Sequence, residues 1–223
     1  MNTKKTAYIY LPAMVITVFI VMYFSGIKWV QEIICPSVDW ELGLVENLQL
    51  VLLLMIFGVS VIAIFRKDYK LEKVAFLLLA LFTLFVFLEE MDYGNHFLKY
   101  FEGKEDTIFS DLTGHANIHN EGNNAKLFKR SIYPLMGILF ILAPLVKGKI
   151  NNRFLAYLIP DRYIIATAVI TILSYLVPRL LVDFNVLKDG GFGVNIGEFS
   201  EIMIYYIFFL YLYEIIFKKT YIK

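Results

Sequence analysis

Six stretches of this chain are long and apolar enough to cross a bilayer, and this constrains its fold more than any other feature. A hydrocarbon core of about 30 Å takes about 20 residues of helix, and within it every backbone N–H and C=O must be bonded inside the chain. The runs lie roughly at residues 7–26, 43–65, 74–98, 131–147, 163–182 and 198–217. Composition agrees: 59% of residues are hydrophobic and 18% charged, against about 45–50% and 25% in soluble domains. The expected architecture is an all-α, polytopic membrane bundle of six transmembrane helices forming a single domain over residues 1–223. Lys4 and Lys5 precede the first run as in a signal peptide, but no small-residue cleavage site follows, so a retained helix is expected.

Lysine and arginine positions predict the orientation. Thirteen of the 21 fall at the chain ends and in the short segments around 66–73 and 147–162. By the positive-inside rule that side is cytoplasmic, with both termini on it, in a cell membrane. Sixteen of the 20 acids and all three histidines lie toward the opposite, outer half. Residues 99–130 form a long outer segment rich in Gly, Asn and Asp, expected as a loop packed on the bundle. The net charge of +1 gives no basic field, and nucleic acid is not expected as a partner. The single cysteine, Cys35, excludes an intrachain disulfide, and its ordinary role is as a small packed hydrophobe.

The acids near the outer helix ends carry the chemistry. A carboxylate at a helix centre in lipid costs about 2.5–3.5 kcal/mol, so such residues mark functional sites by default. The third run ends in FLEEMDYGNHFL, where helical spacing puts Glu89, Asp92, Tyr93 and His96 on one face and turns Glu90 aside with Gly94 and Phe97. Two carboxylates, a phenol and an imidazole on one face can hold a metal or manage protons; the competing explanation is a solvated helix end. The second run opens with WELGLVENLQL, placing Glu46 and Gln49 on one face beside Asn47. The last opens with GEFSEIMIYY, whose Glu198, Glu201 and Tyr205 form a stripe. Acids at a helix start favour the positive end of its dipole, which accounts for Glu198 but less well for the deeper Glu201.

In the outer segment GHANIHN, His115 and His119 are spaced so that a helix would put both rings on one side. Arg179, after Pro178 near the outer end of the fifth run, is a candidate for neutralising an acid or clamping phosphate; a snorkelling arginine is the alternative. The glycines of GGFG (Gly190, Gly191, Gly193) permit close backbone approach, but no strand precedes them and they are not a phosphate fingerprint.

EEMDYGN, followed about twenty residues later by NIHN, resembles a group of bacterial polytopic membrane proteins with the pattern E-E-x-x-[WY]-G-[QN] … N-[LI]-H-N. The matching positions are Glu89, Glu90, Gly94, Asn117, His119 and Asn120, with Glu46 as an early acid and Gly197 and Glu198 as a later G-E. The group has no assigned reaction, so the resemblance implies a site at these positions without naming its chemistry. A looser, purely chemical analogy is to alkaline ceramidase and adiponectin-receptor-like membrane hydrolases, which hold a zinc on histidines.

Three functions fit. The first is a membrane-embedded hydrolase or transferase acting on a lipid or lipid-linked substrate at the outer face. Its catalytic candidates are Glu46, Glu89, Glu90 and Glu201; its substrate-binding candidates are Asn47, Tyr93, Asn117, Asn120 and Arg179. Asp92, His96, His115 and His119 are candidate ligands for a divalent metal, zinc or manganese. The second is a proton or cation transporter or channel, which the apolar cytoplasmic halves of the spans disfavour. The third is a non-catalytic subunit, meeting protein partners or further copies of itself through its aromatic helices.

Overall fold

The computed structural model describes residues 3–37, 43–91, 131–184 and 196–218. Among them every regular element is helical. Six helices can cross a membrane: α1 (Thr3–Tyr23), α3 (Leu44–Arg66), α4 (Lys70–Glu90), α5 (Ser131–Lys149), α7 (Ile164–Asp183) and α8 (Glu198–Phe217). Two short helices join them, α2 (Lys28–Ile34) and α6 (Arg153–Leu158). The chain is thus an all-α, multi-pass membrane bundle, as its hydropathy predicts. The described part of the third span ends at Glu90, with Met91 in a turn. The expected continuation to residue 98 and the whole of 99–130 lie outside the described residues.

α8 is the axis of the bundle. Some 56% of its spanning window is buried, against at most 33% for any other span. All three apolar clusters run along it: Phe199, Ile202 and Met203 at one end, Ile204, Ile207 and Leu210 in the middle, Leu212, Ile215 and Ile216 at the other. The outer flanks of α4 and α5 expose Leu78, Phe82, Ile138 and Leu142, as lipid-facing surfaces should.

Lipid leaves no water to complete unmet hydrogen bonds, so hydroxyls find carbonyls. Ser60 donates to Ile56 O and Thr83 to Leu79 O within their own helices. Residues Thr6–Tyr10 of α1 and Gly137–Leu142 of α5 wind as π-helix. This winding replaces the ordinary i→i+4 ladder and tends to leave carbonyls available. Tyr206 OH donates to Ala7 O at 2.6 Å and Thr167 Oγ1 to Tyr8 O at 2.7 Å, tying α1 to α8 and α7.

One end of the bundle is held by buried lysine. Lys67, just past α3, donates to Tyr157 OH (2.7 Å), Ile215 O (2.8 Å) and Lys218 O (2.8 Å). An ammonium has three donors, and these acceptors use all of them while capping the carbonyls α8 leaves open at its C-terminus. Tyr157 OH in turn donates to Glu72 Oε1 at 2.6 Å. Burial pulls the Lys67 ammonium below the usual lysine range, with Glu72 opposing the shift and Lys218 adding to it. Burial and Glu72 together push the Tyr157 phenol well up. Lys147 and Lys218 both reach Ile159 O, and Glu214 accepts from Asp161 N. Lys4 pairs with Asp161, so both described chain ends gather here.

That last pair generates a pH prediction. Burial raises the Asp161 carboxyl, but the hydrogen bond and charge of Lys4, the Arg162 backbone N–H and Lys147 outweigh it, leaving it below the usual carboxylate range. A carboxyl depressed on folding contributes stability above its unfolded value of about 3.9 and loses it as pH falls through the folded value. Thermal unfolding in detergent should therefore show an acid-side loss starting near pH 4, of at most about 1 kcal/mol because the pair is partly exposed. Asp161→Asn should lack this component; an identical acid limb in both proteins would refute the assignment.

Candidate active site

The opposite end of the bundle gathers acids instead. It is built from the first turn of α3, the last turn of α4 and the first two turns of α8. α3 begins at Gly43, whose extended backbone (φ −68°, ψ 162°) ends the preceding segment. A Cβ there would lie 2.6 Å from Ile34 O, 2.9 Å from Pro36 Cδ and 3.1 Å from Cys35 Cα. Only glycine lets the chain after α2 lie directly over the start of α3. That chain roofs the site: Ile34 and Cys35 pack with Tyr23, Val45 and Phe199 in one buried cluster. Gln31 Nε2 donates to Tyr23 O at 2.8 Å, anchoring α2 to the end of α1.

Beneath this cover, Glu46 on α3 shares a side-chain hydrogen bond with Glu198 on α8. Gln49, one turn further along α3 and wholly buried, donates Nε2 to Glu198 Oε2 at 3.0 Å and more weakly to Glu198 O at 3.4 Å. On α4, Glu90 accepts a 2.6 Å hydrogen bond from Tyr205 OH of α8. Glu90 and Glu201 are close enough for their charges to act on both Glu46 and Glu198. Four carboxyl groups from three helices therefore lie within electrostatic range at this end of the bundle. Among the described residues, no lysine or arginine pairs with Glu46 or Glu198. Glu46 Oε1 and Gln49 Oε1 are buried without a hydrogen-bond partner among the described residues.

Two carboxyls can hydrogen-bond only through a proton. The Gln49 amide faces Glu198 with an N–H donor, so Glu198 Oε2 accepts from it. One proton is thus held between Glu46 and Glu198, and Glu46 Oε1 has no hydrogen-bond partner among the described residues. The arrangement is an acid beside a base in a site closed by apolar side chains, the pattern by which paired carboxyls divide the two roles.

The sequence-predicted residues fare differently. Glu46, Glu90 and Glu201 come together as expected of a site. Glu90, expected to turn aside, faces Tyr205, because the last turn of α4 packs that side toward α8. Glu89 is buried, but no described contact joins it to Glu46 or Glu198. Asn47 is exposed and donates to Gly43 O at 2.8 Å, at the start of its own helix. Arg179 is exposed and pairs with Asp183, one turn away on α7, at 3.2 Å. Asp92, Tyr93, His96, His115, Asn117, His119 and Asn120 lie outside the described residues. Among the described residues, no group of three or more His, Cys, Asp or Glu is arranged to hold a metal ion.

Helical spacing alone does not single out Gln49 and Tyr205, although Tyr205 shares the stripe with Glu198 and Glu201 and Gln49 shares a face with Glu46. Glu198, a matching position of the resemblance, is also accounted for by the helix dipole, and its bond to Gln49 is what sets it apart. Gly43, directly before an apolar run, carried a helix-start signal. Cys35 is buried, and its thiol is pushed up to about 12 by burial and then by the charges of Glu46, Glu198 and Glu32. Such a thiol is an inert packing group. A cavity of about 560 Å³ lined by Asp68, Tyr69, Lys70, Leu71 and Val74 lies at the lysine end and contains none of the site.

Comparison with family models, curated proteins and solved structures found no match to this chain.

The roof over α3 makes a prediction. Gly43→Ala forces backbone apart and should cost about 1–3 kcal/mol, as overpacking does. A lowered midpoint of thermal unfolding in detergent is the expected result; an unchanged midpoint would mean that the roof does not sit as described.

Proposed function

We propose that the chain is a membrane-embedded hydrolase or transferase acting on a lipid or lipid-linked substrate at the outer face of a cell membrane. The observation that supports it is the hydrogen bond between Glu46 and Glu198, two carboxyls from distant helices joined under an apolar roof. A lone acid at a helix start suits the dipole, but a proton shared between two buried acids serves acid–base chemistry. Glu198, the acceptor, takes the proton of an attacking water or hydroxyl as that oxygen bonds to an ester or phosphoester centre. Glu46 gives its proton to the oxygen that leaves, so the pair ends with its proton moved from one carboxyl to the other. Gln49 holds Glu198 in place, and Tyr205 holds Glu90 beside the pair.

The reading extends to a divalent metal, zinc or manganese, on Asp92, His96, His115 and His119; its support is their spacing alone. The test is lipid turnover by purified protein in nanodiscs carrying a polar lipid extract, followed by mass spectrometry. Glu46→Gln and Glu198→Gln should each lower turnover about 10²-fold or more, the usual weight of a general acid or base. Turnover unaffected by either change would defeat the dyad. Loss of activity on chelation, restored by zinc or manganese, would support the metal.

The orientation proposed here places both termini in the cytoplasm and the carboxyl site outside, on the strength of the lysine and arginine distribution. Because Cys35 is buried and its thiol inert, single cysteines introduced elsewhere report cleanly. A cysteine at Lys223→Cys should react with an impermeant maleimide only after the membrane is opened. One at Asn123→Cys should react in intact cells, and the reverse pattern would invert the assignment.

A further inference from the structure

The site has two acceptors and nothing described to fill them. Glu46 Oε1 and Gln49 Oε1 are buried and lack a hydrogen-bond partner among the described residues, on side chains 9% and 0% exposed. A buried polar atom without a partner costs about 1–3 kcal/mol, and native structures seldom retain one without a use. Both atoms are acceptors, so the missing group is a donor. Beside them Glu198 shares a hydrogen bond with Glu46 and accepts one from Gln49 Nε2, and among the described residues no lysine or arginine pairs with it.

We infer that the cluster of Glu46, Gln49 and Glu198 receives a primary ammonium group, such as the headgroup of phosphatidylethanolamine presents. Each competing ligand fails on one point. A phosphate would set negative charge against Glu198 and leave both acceptors unmet. A neutral hydroxyl would meet one acceptor and bring no positive charge to a place where four carboxyl groups act on one another. A trimethylammonium has the charge but no N–H. A metal ion finds no group of ligands among the described residues. A primary ammonium has three donors on one atom, enough for Glu46 Oε1, Gln49 Oε1 and the carboxylate edge of Glu198. The inference rests on the proposal that this end of the bundle meets lipid headgroups, and it narrows the substrate to aminolipids or the amines released from them.

Carbodiimide labelling tests it, because the reagent attacks proton-bearing carboxyls in apolar surroundings and the adduct can be mapped by mass spectrometry. The protein is reconstituted in vesicles of phosphatidylcholine alone or with phosphatidylethanolamine, and separately in phosphatidylcholine with free ethanolamine or choline. Ligand at about ten times its dissociation constant leaves about a tenth of sites open, so labelling of Glu46 or Glu198 should fall about tenfold. Protection by phosphatidylethanolamine alone assigns the intact lipid, and equal protection by free ethanolamine assigns the headgroup amine. Gln49→Leu keeps the side chain's bulk and should abolish protection without abolishing labelling. Equal labelling in both lipids, protection by choline matching that by ethanolamine, or absence of labelling in phosphatidylcholine would each overturn the inference. The lipid comparison on the unsubstituted protein decides the matter even if Gln49→Leu fails to fold. Turnover lost in Glu46→Gln without any protection by ethanolamine would sink the ammonium and spare the enzyme; protection without turnover would do the reverse.

Discussion

Everything in this bundle follows from the absence of water around α8. A polar atom on a buried membrane helix must find its partner inside the protein, and along most of α8 it does. Tyr206 finds Ala7 O, Tyr211 finds Leu158 O, and the carbonyls of Ile215 and Lys218 at the C-terminus are met by Lys67. At the lysine end the buried ammonium has as many acceptors as it has donors. At the carboxyl end the matching is incomplete, since Glu46 Oε1 and Gln49 Oε1 face no described donor. The two ends obey the same rule with opposite outcomes. A satisfied network holds helices together, as at the lysine end; at the carboxyl end the same helices are joined by Gln49 and the Glu46–Glu198 hydrogen bond.

Energies point the same way. Interhelical hydrogen bonds in membrane proteins contribute on average only about 0.6 kcal/mol each, because the unfolded chain in lipid finds partners too. Acids at helix starts suit the positive end of the dipole, but two of them buried against each other must also share a proton. A neutral glutamine pair or a serine would join α3 to α8 without that requirement. The same reasoning assigns Lys67 differently: its acceptors are mainly backbone carbonyls at a helix end, and a cation there complements the dipole as well as the open hydrogen bonds.

The spans were legible in the sequence because hydropathy over about 20 residues is a strong signal, and apart from the end of the third span, whose expected residues past 91 lie outside the described ones, the boundaries differ by at most four residues. The short helices α2 and α6 were not, since one and a half or two turns give too little periodicity to detect. The site was half legible. Glu46 and Glu201 stood out as acids inside apolar runs, and they do meet. Glu198 did not, because a helix start accommodates an acid without needing a partner, and only the packing of α3 on α8 turns that acid toward Glu46. The choice between Glu89 and Glu90 was hidden for a related reason: neighbouring residues differ by about 100° around a helix, and sequence does not say which face the partner will occupy. Asn47 and Arg179 make described bonds within their own helices, to Gly43 O and to Asp183, which spacing along the chain does not distinguish from bonds to another element.

The arrangement along α8 also bears on transport. Glu201 and Glu214 are separated by thirteen residues, about 20 Å of helix. Between them Ile204, Ile207 and Leu210 pack against Phe140, Ile164 and Ala168 in a continuous apolar cluster. The hydroxyls of Tyr206 and Tyr211 in this stretch bond to Ala7 O and Leu158 O, and Tyr205 bonds to Glu90. On α7 the buried hydroxyls of Thr167 and Thr171 bond to Tyr8 O and Thr167 O. Between Glu201 and Glu214 α8 carries no Asp, Glu, His, Lys or Arg, so the carboxyl end and the lysine end are separated along this helix by apolar packing and hydroxyls engaged in local hydrogen bonds.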